Sequence, residues 1–129
     1  MTYSVQKLND HITELLLNHK IKCWLKDSYG GRANRDSREI AIARVKSPVT
    51  YAVALHEIGH IVGPNPKRVL EREAEAWLWA RQNAVFWNAA MSKKASRCIG
   101  SYLRWCERKK NAWVPPHDHV SREIAQWTK

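Results

Sequence analysis

Apolar residues recur three and four apart over residues 3 to 19, where Val5, Leu8, Ile12, Leu15, Leu16 and Leu17 make one broad face. That spacing predicts a first helix lying against the core. Two short alternating stretches follow. IKCWLK (21 to 26) alternates apolar and basic positions, and REIAIARV (38 to 45) puts Ile40 and Ile42 on one side with Glu39, Ala41 and Ala43 on the other. Between them DSYGGRANRDS (27 to 37) has the composition of a loop, so the two strands are expected to pair across it.

The helical pattern returns at Ser47-Pro48. A serine oxygen caps free amides, and proline costs nothing at the first helical position. The helix is expected to run through YAVALHEIGHIVG (51 to 63) and to stop at Gly63, Pro64 and Pro66. Residues 67 to 91 are rich in Ala, Leu, Glu and Arg and lack Gly and Pro, which predicts one long helix. A basic helix from about Ser92 to Lys110 is expected next, then a break at NAWVPPHDH and a last short helix in VSREIAQW. The pattern adds up to one α+β domain over 1 to 129, mostly helical with a two- or three-stranded sheet. Its core is expected in 20 to 91 and a basic helical part in 92 to 129.

Composition narrows the function classes. The chain of 129 residues is 44% hydrophobic, enough for one core without disulfide support. Cys23, Cys98 and Cys106 are odd in number and form no CxxC pair, which argues against a disulfide framework and a cysteine zinc site. No apolar run approaches the ~20 residues of a membrane span, and the N-terminus lacks a signal-peptide core, so a cytoplasmic protein with no membrane partner is expected. The net charge of +10 peaks in residues 92 to 110, where seven Lys/Arg face Glu107 alone. Such a face is either solvated or binds nucleic acid or an acidic partner. Trp77, Trp79, Trp87 and Trp105 lie in helical stretches, where core packing is the default expectation.

The stretch HEIGH changes the picture most. On a helix, residues four apart share a face, so His56 and His60 can ligate one ion, and Glu57 lies about 100° round, within reach of a water on it. Zinc suits imidazole and carboxylate ligands, and a catalytic zinc keeps one position open. A third ligand is expected from the next helix, which offers Glu71, Glu73 and Glu75. Glu73 shares its face with Val69, Ala76, Trp77 and Ala80, and a carboxylate among those residues needs a partner such as a metal. Glu71 and Glu75 share another face and stay as alternatives, each also able to pair with Arg68, Arg72 or Arg81.

These residues resemble the ImmA/IrrE family of zinc metallopeptidases over roughly 20 to 85. TYAVALHEIGHIVG is similar to that family's HE[IL]GH motif, and EAEAWLWA (73 to 80) more loosely to its ExxANxFA motif. Trp77 stands where the family has an asparagine, and Trp79 replaces its phenylalanine. The resemblance implies a zincin-like fold with Zn2+ held by His56, His60 and Glu73 and with Glu57 as general base. It implies hydrolysis of peptide bonds in a protein partner, in this family a helix-turn-helix repressor of a phage or mobile element. It does not extend to the basic helix.

A peptidase of this design commonly takes its substrate as an added strand, and REIAIARV, next to the metal-binding helix, is the expected edge unless both its sides are covered. Tyr29, Tyr51, Tyr102, His117 and His119 are candidate donors to an oxyanion. HDH (117 to 119) is either an exposed loop or a second metal site. The contrasting function is a basic module that binds nucleic acid or a partner, with Arg97, Arg104, Trp105 and Arg108 on its surface and a zinc site that is structural or inactive. A protease acting on DNA-attached proteins, as in SprT-like enzymes, ranks lower, because their third ligand is usually a histidine and none occurs between His60 and His117.

Overall fold

Local capping sets most of the element boundaries. In a computed structural model of the chain, describing residues 3 to 28 and 30 to 129, Ser4 caps a first helix α1 (Val5–Asn18), its hydroxyl accepting from the Lys7 amide at 3.1 Å. Leu8 and Ile12 are buried, while Val5 and Leu17 at either end of the expected apolar face are exposed. Three strands follow, β1 (Lys22–Lys26), β2 (Gly31–Asn34) and β3 (Glu39–Ala43).

The sheet order is β1-β3-β2. β1 and β3 pair, as the alternation suggested, and they do so in parallel, with Cys23 opposite Ile40 and Leu25 opposite Ile42. The stretch read as a loop supplies β2, antiparallel to β3 with Gly31 opposite Ile42 and Ala33 opposite Ile40. β3 is therefore the central strand with both sides covered, and the expectation that it forms a free edge is corrected. Four residues of Gly-Arg-Ala-Asn carry no β-branched or aromatic signal, so β2 is held by tertiary contacts rather than propensity. Its turn into β3 closes through Asn34, whose side-chain oxygen accepts from the Ser37 amide at 3.1 Å.

α2 (Pro48–Val62) begins where expected. Ser47 and Thr50 form a reciprocal capping box, and Pro48 opens the first turn. Gly63 caps the other end with an extended backbone; a Cβ there would meet the Gly59 carbonyl at 2.7 Å. The long helix expected over 67 to 91 ends early, as α3 (Val69–Asn83), and the basic helix expected from about Ser92 to Lys110 starts earlier, as α4 (Ala89–Arg108). The chain breaks because Val85 gives its amide to the Tyr51 hydroxyl at 3.0 Å, Phe86 turns into the core, and Asn88 caps α4 by accepting from the Met91 amide. A short α5 (Val120–Ile124) ends the order, capped by His119.

The core joins all of these elements. Ile40 and Ile42 of the sheet pack with Leu55, Ile58 and Ile61 of α2, Trp77 of α3, and Met91, Ala95 and Ile99 of α4. α4 is thus part of the central core and extends it beyond residue 91. Trp77 is core, as its setting suggested, but Trp105 is 46% exposed and Trp87 lies in the break before α4. The architecture is α+β, with five helices and one three-stranded sheet among the described residues. No helix among them is long and apolar enough to cross a membrane.

Candidate metal centre

α2 and α3 pack closely because both are small at their crossing. Gly59 lies against Ala76, where a Cβ on Gly59 would stand 2.9 Å from the Ala76 carbonyl oxygen. That closeness brings Glu73, one turn before Ala76, to the two histidines. His56 Nε2 lies 3.1 Å from Glu73 Oε1, His60 Nε2 lies 2.6 Å from Glu73 Oε2, and the two imidazole nitrogens are 3.2 Å apart. His56, Glu57 and His60 also place one ligand atom each within 4.8 Å of one another.

The other glutamates of α3 point elsewhere. Glu71 pairs with Arg68 at 3.4 Å and faces His119 at 3.7 Å, while no ion pair involves Glu75 among the described residues. Glu73 is the one whose carboxylate spans both histidines.

The electrostatics follow from burial. Burial raises the Glu57 carboxyl to about 7, with Glu73 adding to the rise against the opposing pull of His60 and Lys26. Burial acts in the same direction on Glu73, but hydrogen bonds from both histidines outweigh it and hold that carboxyl down at about 2. His56 is lowered by burial, whereas at His60 burial is overcome by the hydrogen bond to Glu73. The cluster thus contains one firmly ionised carboxylate and one buried carboxyl poised near neutrality.

Donor chemistry and spacing can be compared with a zinc ion. Zn–N and Zn–O bonds of about 2.0–2.2 Å in a tetrahedron put ligand atoms about 3.3 Å apart. The 3.2 Å and 3.1 Å separations match that value, and the 2.6 Å contact is a hydrogen bond to the second carboxylate oxygen. Two imidazoles and a carboxylate therefore fit a zinc ion. The far nitrogen of His56, Nδ1, is buried without a hydrogen-bond partner. Instead Trp77 stacks on the ring, with centroids 4.2 Å apart and planes 24° apart. The residue that departs from the ExxAN pattern thus holds His56 by its face.

Two features of the site carried little sequence signal. Gly31 of β2 abuts Glu57, and a Cβ there would fall 2.7 Å from Glu57 Cγ and 2.7 Å from Oε2, so only glycine leaves the carboxylate its place. The Gly30-Gly31 pair was the available hint. The second is α4, which walls one side of the cleft with Lys94, Cys98, Ser101 and Tyr102, facing His56 and Glu57 across about 400 Å³.

The oxyanion candidates separate by position. Tyr102 lines this cleft. Tyr51 is buried, its hydroxyl 2.6 Å from His11 Nδ1 and accepting from the Val85 amide. His119 caps α5 and bonds Ser121, His117 is exposed, and Tyr29 lies outside the described residues. HDH gathers no third ligand among the described residues, where the metal-competent cluster is that of α2.

On the other side of His60 and Glu73, a cleft runs along β2 past Arg32 and Ala33. Arg35, in the turn after β2, donates to the carbonyls of His60 at 3.2 Å and Gly63 at 2.8 Å, tying the hairpin to the end of α2. No family model, curated protein or solved structure matches the chain.

Proposed function

We propose that the protein is a zinc-dependent peptidase of zincin-like architecture, acting on a protein partner in the manner of the ImmA/IrrE family. The observation that carries this reading is the meeting of His56 Nε2, His60 Nε2 and the Glu73 carboxylate beside the buried Glu57, at the floor of an open cleft. His56, His60 and Glu73 would hold the ion. When bound, zinc supplies Lewis-acid polarisation of a carbonyl and acidifies water. Glu57 takes a proton from the attacking water and passes it to the leaving amine, for which a carboxyl near 7 is suited. β2 borders the sheet beside Glu57, so a substrate strand pairing with it would lie across the site. Tyr102 lines the same cleft and would donate to the developing oxyanion. A helix-turn-helix repressor in the cytoplasm is the substrate class that the family resemblance suggests.

Metal analysis and a peptide digest test the reading. Purified protein is expected to hold about one equivalent of zinc, lost in His56→Ala, and Glu57→Gln is expected to keep the zinc while abolishing cleavage. Wild-type protein without zinc, or a Glu57→Gln variant that cuts as fast as wild type, overturns it.

One observation favours a second reading as a nucleic-acid-binding module with a structural metal. Lys93, Arg97, Arg104 and Arg108 lie exposed along α4, with Trp105 beside them. Phosphate binding there would weaken steeply with salt. Salt-dependent DNA binding by a protein that cleaves no co-encoded protein would favour it.

A further inference from the structure

The cleft along β2 has an unusual lining for a chain that must also hold a cation. Arg32, Arg35 and Arg72 border it together with Asn65, and it ends on Glu57, His60 and Glu73, with a volume of about 360 Å³. Two of the three guanidinium groups are anchored by the backbone. Arg35 Nη1 is held by the His60 and Gly63 carbonyls, and Arg72 Nη1 donates to Pro66 O at 3.2 Å and Lys67 O at 2.7 Å. A guanidinium has five N–H donors in a rigid fork, so anchoring one nitrogen fixes the group and leaves donors for a ligand. No carboxylate pairs with any of the three among the described residues. The Glu73 carboxylate at the end of the cleft is taken by the two histidines.

Three like charges facing one cleft repel each other unless an anion joins them. The cleft is open, and its charge is asymmetric: beyond His56 the lining turns to Trp77, Cys98, Ser101 and Tyr102 with Lys94 alone. From this we infer that the end of the cleft bordered by Arg32, Arg35 and Arg72 is a subsite for a substrate carboxylate, which sets where the peptide is cut. Planar guanidinium groups match a carboxylate with paired hydrogen bonds, and a pre-anchored fork loses little freedom on binding. The inference rests on the peptidase reading and specifies its substrate. The carboxylate belongs either to an Asp or Glu side chain within the substrate or to its chain terminus.

Quenched fluorescent decapeptides on one Ala/Leu scaffold, given to the zinc-loaded protein, test it. One set carries Glu at each position in turn with an amidated end, a second carries Lys in the same positions, and a third has no charged side chain but a free C-terminal carboxylate. The Glu set is expected to be cut with kcat/KM about tenfold or more above the Lys set, at a fixed offset from the Glu. Preferred cutting of the third set near its end supports the subsite and assigns the carboxylate to the chain terminus. Arg32→Glu, at an exposed position, and Arg72→Gln are each expected to reduce the Glu-over-Lys ratio towards unity. Equal cutting of the Glu and Lys peptides with no preferred cutting of the third set, or a carboxylate preference unchanged in both variants, overturns the inference while leaving the peptidase reading intact. If no peptide is cut, the peptidase reading fails, and the subsite is judged by fluorescence anisotropy of the labelled Glu and Lys peptides on Glu57→Gln protein. Equal Kd values for the two then overturn the subsite as well.

Discussion

Gly59 on α2 rests on the backbone of Ala76 on α3, so closely that a Cβ would stand 2.9 Å from the Ala76 carbonyl oxygen and 3.3 Å from its Cα. The neighbour is backbone and cannot step aside. Gly59→Ala is expected to push the helices apart, destabilising the protein by about 1–3 kcal/mol. Because Glu73 rides on the same helix as Ala76, zinc affinity is expected to fall as well. Urea unfolding and competition with a fluorescent zinc chelator check the two effects, and unchanged affinity would show that the crossing distance does not set the ligand geometry.

Gly31→Ala probes a different clash. Here the atoms in the way, Glu57 Cγ and Oε2, belong to a side chain that can move, so the fold and the metal are expected to survive. The displaced carboxylate is expected to lower kcat about 10²-fold, the scale of a 1 Å misplacement. Steady-state kinetics beside zinc content separates this outcome from simple misfolding.

The pH dependence of stability isolates Glu57. In chelator-treated protein its carboxyl has a folded value of about 7 against the ordinary 4.5, so the folded state keeps an extra proton between those pH values. The contribution of Glu57 to stability is greatest below 4.5 and falls as pH rises through 7, because the buried group must then ionise. Glu57→Gln removes this dependence. The variant is expected to gain on the order of 2–3 kcal/mol relative to wild type between pH 4.5 and pH 8, measured by urea unfolding at each pH. A constant difference across that range would contradict the placement of Glu57.

Two tyrosines are expected to respond in opposite ways. Tyr51→Phe leaves the Val85 amide and His11 without their partner in a buried setting, which costs about 1–3 kcal/mol, with zinc binding unchanged. Tyr102→Phe is expected to leave stability nearly unchanged and to lower kcat about 10²-fold, as loss of an oxyanion donor would. Thermal denaturation and kinetics on both variants check the contrast.

Capped helices were the legible part of this fold. Ser47-Pro48 and Gly63 bound α2 because both ends use local hydrogen bonds that the sequence spells out. The break at 84 to 88 was less visible, since it depends on Tyr51 reaching from another helix to the Val85 amide. β2 was missed for a related reason: Gly31 and Ala33 are strand residues only because Glu57 and Ile40 stand opposite them. Within the candidate site, the shared face of His56 and His60 could be read from helical periodicity, and Glu73 was marked out from Glu71 and Glu75 only by its apolar neighbours on the next helix. The contribution of α4 could not, because the placement of Tyr102 follows from the turn at Asn88 that starts the helix.

The stacking of Trp77 on His56 also makes the site observable. Indole emission responds to a neighbouring imidazole, to its protonation and to any ion it binds, and only one of the seven tryptophans lies face to face with such a ring. Trp77 is therefore a built-in optical reporter, and titrating zinc into Trp77→Phe alongside the wild type would isolate its signal without attaching a label.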